Sequence, residues 1–235
     1  MIKTTIRKET KLAFIGILAF FIYMFLPKFE TLPLELLKID VTSLPLIIKI
    51  IYMIAFELIL MAIIVYLFKD KLLADIKDIR QNHQKYFSKY LKFWILSVGV
   101  MMVSNLLIGL IVPDALPSNE EALRELFEKS PFYIFFSAVL FAPIVEELVF
   151  RQGFRYIFKT KTLFILISGL VFGSLHVLTS YSSPVELLYI IPYSAPGLAF
   201  AYILTKTENI LVTMGFHFMH NGILVALQFL ILILG

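Results

Sequence analysis

Residues 132–154 read FYIFFSAVLFAPIVEELVFRQGF, and this stretch decides the fold class. Its only charges are Glu146, Glu147 and Arg151, all in the second half. An α-helix crossing a bilayer needs roughly 20 predominantly apolar residues, and this run supplies them. Two carboxylates inside one span cost on the order of 5–7 kcal/mol on insertion scales, so something must offset them. Outward from here, further apolar runs cover residues 12–26, 46–68, 93–112, 163–179, 187–204 and 210–234. The expected fold is all-α: a polytopic transmembrane bundle of about seven spans, an eighth re-entrant segment being the alternative count.

Composition agrees. Of 235 residues, 60% are hydrophobic and 16% charged, against roughly 45–50% and 25% in soluble domains. A soluble enzyme, a disordered chain and a coiled coil are excluded. The absence of Cys removes disulfides, thiolate metal sites and a Cys nucleophile together. The net charge of +4 sits in loops between apolar runs, so it reports membrane orientation rather than nucleic-acid binding. Lys3, Arg7, Lys8 and Lys11 precede the first run, seven Lys and Arg fill 69–92, and Arg155, Lys159 and Lys161 follow the fourth run. Residues 113–131 instead carry Asp114, Glu120, Glu121, Glu125 and Glu128 against two basic residues. This predicts an integral membrane protein, expected in the plasma membrane, with a cytoplasmic N-terminus. The first run lacks a small-x-small cleavage site and reads as an anchor rather than a signal peptide. In 72–91 the apolar Leu72, Ile76, Ile79, Phe87 and Tyr90 fall close to helical spacing, which predicts an amphipathic interfacial helix.

The polar residues of the spans carry the functional reading. Glu147 and Arg151 are i and i+4, share a helix face and can pair. Glu146 lies about 100° round the helix, has no such local partner and is free to face a cavity as a general base. Pro143 is expected to kink the helix just before them. Taking Thr160 as one cytoplasmic turn and Thr207 as the next, Glu146, His176 and Asn221 all fall about 21–24 Å along their helices. His217 sits one turn from Asn221 on the same face. Glu57 is a further mid-span acid, serving a bundle-interior hydrogen bond or a substrate path. His220 is turned away from His217 and reads as structural. Ser104, Asn105 and Gln228 read as interhelical hydrogen-bonding residues. Pro192 and Pro196 should loosen the sixth span, and His83 belongs to a solvated loop.

Glu146-Glu147-x-x-x-Arg151, Phe172-x-x-x-His176 and His217-x-x-x-Asn221, in this order and each on a span, resemble the three motifs of the CPBP family. This is the CAAX protease and bacteriocin-processing (Abi) family of intramembrane proteases. The resemblance implies a catalytic core over 132–234, preceded by N-terminal helices and the amphipathic segment over 1–112. It further implies that Glu146 and His176 activate a water, that His217 and Asn221 stabilise the oxyanion, and that Glu147, Arg151 and Phe172 support the site. No cofactor is firmly expected. A zinc ion, if used, would take Glu146, His176 and His217, but the His-Glu-x-x-His helix motif is absent and the metal-free route is preferred. The expected partners are the lipid bilayer and a membrane peptide or protein substrate, such as a bacteriocin or pheromone precursor, with no nucleic acid. The alternatives are a non-catalytic membrane scaffold acting on a partner such as a sensor kinase, and a transporter using Glu57 and Glu146, which lacks repeat symmetry.

Overall fold

The computed structural model describes residues 2–113, 116–180 and 182–234, with side chains from Ile6 onward. Asp114 and the side chain of Lys3, both counted in the charge pattern above, lie outside the described residues. The chain is an all-α bundle, and among the described residues seven helices are long and apolar enough to cross a membrane. These begin with α1 (Ile2–Phe25), α2 (Leu46–Leu67) and α3 (Lys69–Ile111). A short amphipathic helix, α4 (Ser118–Lys129), leads into the crossing α5 (Pro131–Ile157). Then come α6 (Lys161–Leu178), α7 (Ile190–Thr207) and α8 (Ile210–Leu234).

The amphipathic stretch 72–91 is helical, as its spacing predicts, but it is not a separate element. It runs without a break into the third span, giving one 43-residue helix, α3, about 64 Å long at 1.5 Å per residue. Its apolar face packs on protein. Ile79, Tyr86, Phe87 and Trp94 surround a core of Tyr90, Phe200, Ile203, Val212 and Phe216 from α3, α7 and α8. The polar face is bonded as well: Asn209 Nδ2 donates to the Asp75 carbonyl and Asp78 Oδ2, and Asp75 Oδ2 accepts the Ile210 N–H at the start of α8. The far half of α3 is different. Leu106, Leu107, Leu110 and Ile111 are all exposed, as a lipid-facing surface requires. Ser104, Asn105 and Gln228 make no hydrogen bond among the described residues, against the interhelical role expected of them.

Pro192 and Pro196 do not loosen the sixth span. Both are buried in a helix that packs closely on α6. A Cβ on Gly197 would come within 3.0 Å of the Gly169 carbonyl oxygen, and one on Gly173 would collide with Ser194. Because α7 is entered through a 3₁₀ turn, Pro184–Tyr189, Pro192 falls in its first turn, where the missing N–H is unbonded anyway.

The kink expected at Pro143 takes the form of two π-helical segments, Phe135–Phe141 and Glu147–Gly153, flanking the α-helical Ala142–Glu146. In the first of them the Ala142 N–H reaches back five residues to the Ser137 carbonyl. The next donor in that register would be the N–H of residue 143, which proline lacks. The Ala138 carbonyl is thereby left without a backbone partner, and the side chain of Asn221 takes it.

Candidate active site

The two adjacent glutamates of α5 are held differently. Glu147 is fully buried, and Arg151 Nη2 lies 3.4 Å from its Oε1 across one helical turn. The same oxygen accepts a hydrogen bond from His217 Nδ1 on α8 at 3.0 Å. Arg151 is also fully buried. Its Nη1 donates to Ser168 Oγ at 3.4 Å, and its guanidinium carbon lies 4.4 Å from the Phe172 ring centre and 5.9 Å from that of Phe200. Aromatic faces thus supply part of what water would supply outside the bilayer, about 2 kcal/mol or more for a desolvated cation. The i, i+4 pair is legible in the sequence. The imidazole that joins it and the Phe200 face come from α8 and α7, and no local signal announces them.

Glu146 is 9% exposed. Its Oε2 lies 3.8 Å from His217 Nε2, so one imidazole stands between the two carboxylates. Glu146 is reached from other helices instead of its own. Tyr23 of α1 donates its hydroxyl to Glu146 Oε1 at 3.2 Å.

His176 on α6 is half-buried, and its Nδ1 lies 2.9 Å from the Phe172 carbonyl. A carbonyl only accepts, so Nδ1 carries the hydrogen and Nε2 presents its lone pair in the neutral ring. The ring stacks on Tyr193 of α7 at 5.2 Å between centres, a contact set by the close glycine packing of α6 on α7. Phe172 touches both imidazoles, with ring centres 4.5 Å from His176 and 5.9 Å from His217. Asn221 Nδ2 donates to the freed Ala138 carbonyl at 2.7 Å, which fixes the amide and leaves its second hydrogen unspent.

The motif residues therefore share one neighbourhood, with a pairing that spacing did not give. His217, not His176, contacts Glu146, and no hydrogen bond joins Glu146 to His176 among the described residues. The zinc set Glu146, His176 and His217 is not assembled: among the described residues no group of three His, Asp or Glu side chains is placed to hold a metal ion. Glu57 resolves to the bundle-interior option, its Oε1 accepting from the Tyr133 and Ser137 hydroxyls at 3.0 and 2.7 Å. His220 is buried edge-on to Trp94 and to Phe200, the ring that also faces His217, so the two imidazoles lie on adjoining sides of one aromatic ring. His83 is exposed.

Comparison with known proteins draws attention to the same half of the chain. Residues 128–223 match the family model described as type II CAAX prenyl endopeptidase Rce1-like. The chain is similar to the "Putative membrane peptidase YdiL" of Bacillus subtilis, 30% identical over 113 residues, 47% of this chain and 43% of that protein. It is also similar to the "UPF0177 protein YvdC" of Lactococcus lactis subsp. lactis, 29% identical over 132 residues, 54% of this chain and 48% of that protein. The chain thus spans less than half the length of these curated relatives. No solved structure matches it.

Proposed function

We propose that the chain is a CPBP or CAAX-protease-like protein, as the match of residues 128–223 and the similarity to the two relatives support, and that it is an intramembrane endopeptidase acting on a membrane-associated peptide or protein. One observation carries the reading. A buried imidazole, His217, lies between a carboxylate bound to arginine and a second carboxylate that no cation holds. Bracing of this kind around a potential base exceeds what helix packing needs.

In the proposed reaction Glu146, with His176 Nε2, takes a proton from a water whose oxygen adds to the scissile carbonyl carbon. The π bond opens onto the carbonyl oxygen. That oxyanion is met by the unspent Asn221 amide hydrogen and, when both ring nitrogens carry hydrogen, by the Nε2–H of His217, whose Nδ1–H the Glu147 carboxylate holds. Preorganised donors act chiefly in the transition state, and losing one typically costs about 10²–10³ in rate. As the tetrahedral adduct collapses, the C–N bond breaks and the proton held at Glu146 passes to the leaving nitrogen. The donor grouping supports water activation by protein groups. A strong chelator is accordingly expected to leave turnover unchanged, and activity lost on chelation and regained with zinc would overturn this route. Short precursors such as bacteriocins or pheromones, and lipidated C-termini, are the substrate classes the family similarity brings forward.

The test compares membrane peptides by mass spectrometry in cells carrying wild type or Glu146→Gln. Specific peptides should shorten only with wild type. Identical peptide patterns would sink the protease reading and favour a scaffold acting on a partner.

A further inference from the structure

Helix α1 lies outside the family-matched residues 128–223, yet it packs on α5 along a continuous contact line. At one end Gly16 meets Gly153, so closely that a Cβ on Gly16 would overlap the Gly153 carbonyl. Next, the Phe20 and Phe150 rings meet edge-to-face at 6.2 Å. The line ends where Tyr23 donates to Glu146. Residues 16, 20 and 23 form one face of α1. Their partners 153, 150 and 146 run in the opposite direction, as antiparallel helices require. The glycine pair fixes the register, and the register delivers the Tyr23 hydroxyl to the carboxylate seven residues before Gly153. The Tyr23 ring is itself held edge-on to Phe150 at 5.2 Å.

We infer that Tyr23 is a positioning residue for Glu146, so that the N-terminal helix completes the candidate active site. The inference rests on Glu146 being the base. A glutamate side chain has three rotatable bonds, and holding it in one geometry opposes their conformational entropy. Tyr23 holds Oε1, which leaves Oε2, on the His217 side, as the oxygen free to take a proton. The neighbouring charged and titratable groups are Glu147 and Arg151 of α5 and His217 of α8. None of them reaches Oε1 within hydrogen-bonding distance, so among the described residues the hydroxyl has no substitute on the core side.

Tyr23→Phe removes the hydroxyl and keeps the ring on Phe150. Two measurements on the purified full chain test it. The first is the infrared band of Glu146, identified as the carboxyl signal lost in Glu146→Gln; it should shift in Tyr23→Phe. The second is turnover of a synthetic peptide carrying a sequence whose cleavage in cells needs Glu146. Its kcat should fall about 10- to 100-fold, the worth of a hydrogen bond to a charged group, with KM within about twofold and the unfolding temperature unchanged. An unshifted band, unchanged kcat or loss of the folded protein would each overturn the positioning role. If Glu146→Gln leaves every membrane peptide unaltered, the protease reading fails instead, and the infrared band still decides whether the bond forms.

Discussion

Glu57 on α2 and Glu147 on α5 are both mid-span carboxylates, and the molecule accommodates them in opposite ways. Glu57 receives two neutral hydroxyls, from Tyr133 and Ser137, and its second oxygen, like that of Glu147, is buried without a hydrogen-bond partner among the described residues. No Lys, Arg or His contacts it among the described residues. Glu147 is bound to a guanidinium and an imidazole, and the guanidinium is faced by two aromatic rings. Hydroxyl partners are enough to tie α2 to α5. An arginine and a histidine are a larger investment, since each must itself be satisfied in an apolar interior. The second arrangement marks where the chain concentrates its polar chemistry.

Substitutions can break or sharpen that contrast. The largest effect is expected from Glu146→Gln, which keeps shape and lets Tyr23 go on donating. Product formation should fall about 10²–10⁴-fold, the usual worth of a general base, with membrane abundance near wild type by immunoblot. Near-normal cleavage would move the chemistry away from this carboxylate.

Glu147→Gln should act on the fold. It leaves Arg151 buried and unpaired, which costs roughly 3–5 kcal/mol, read as lower abundance and a lower unfolding temperature in detergent. An abundant, stable and inactive Glu147→Gln would exchange the roles of the two glutamates.

A smaller effect is expected for Phe172→Leu, which strips one aromatic face from Arg151 and should cost about 1–2 kcal/mol in thermal unfolding. An unchanged unfolding temperature would show that Phe200 suffices. The smallest effect is assigned to Glu57→Gln. The amide oxygen can still accept from Tyr133 and Ser137, so stability should change by no more than about 1 kcal/mol and peptide cleavage should persist. Abolished cleavage would draw Glu57 into the chemistry and dissolve the contrast.

How much of this was legible depended on the range of each interaction. The Glu147–Arg151 pair was readable because i, i+4 geometry belongs to the helix itself. The common depth of Glu146, His176 and Asn221 is likewise an expectation that the rise of single helices supplies. The partners of Glu146 were not readable, because Tyr23 is 123 positions away and reaches it only through the register of α1 on α5. Likewise Pro192 and Pro196 suggest a loose helix to a local reading, whereas Gly169, Gly173 and Gly197 let α6 and α7 pack backbone to backbone. The unbroken α3 escaped notice because its first half is amphipathic and its second uniformly apolar, two patterns that ordinarily belong to separate helices.

The sequence by itself determined the bundle, its spans and the identity of the polar residues that cross the membrane. A bilayer tolerates only long apolar helices and makes every exception conspicuous. Tertiary structure alone decided which exception faces which. Apolar runs on several helices are nearly interchangeable in their hydrophobicity, so interhelical register is set by close-packed small residues and a few directional hydrogen bonds. Gly16 against Gly153, His217 between two carboxylates and Asn221 on the carbonyl that Pro143 leaves free are contacts of that kind.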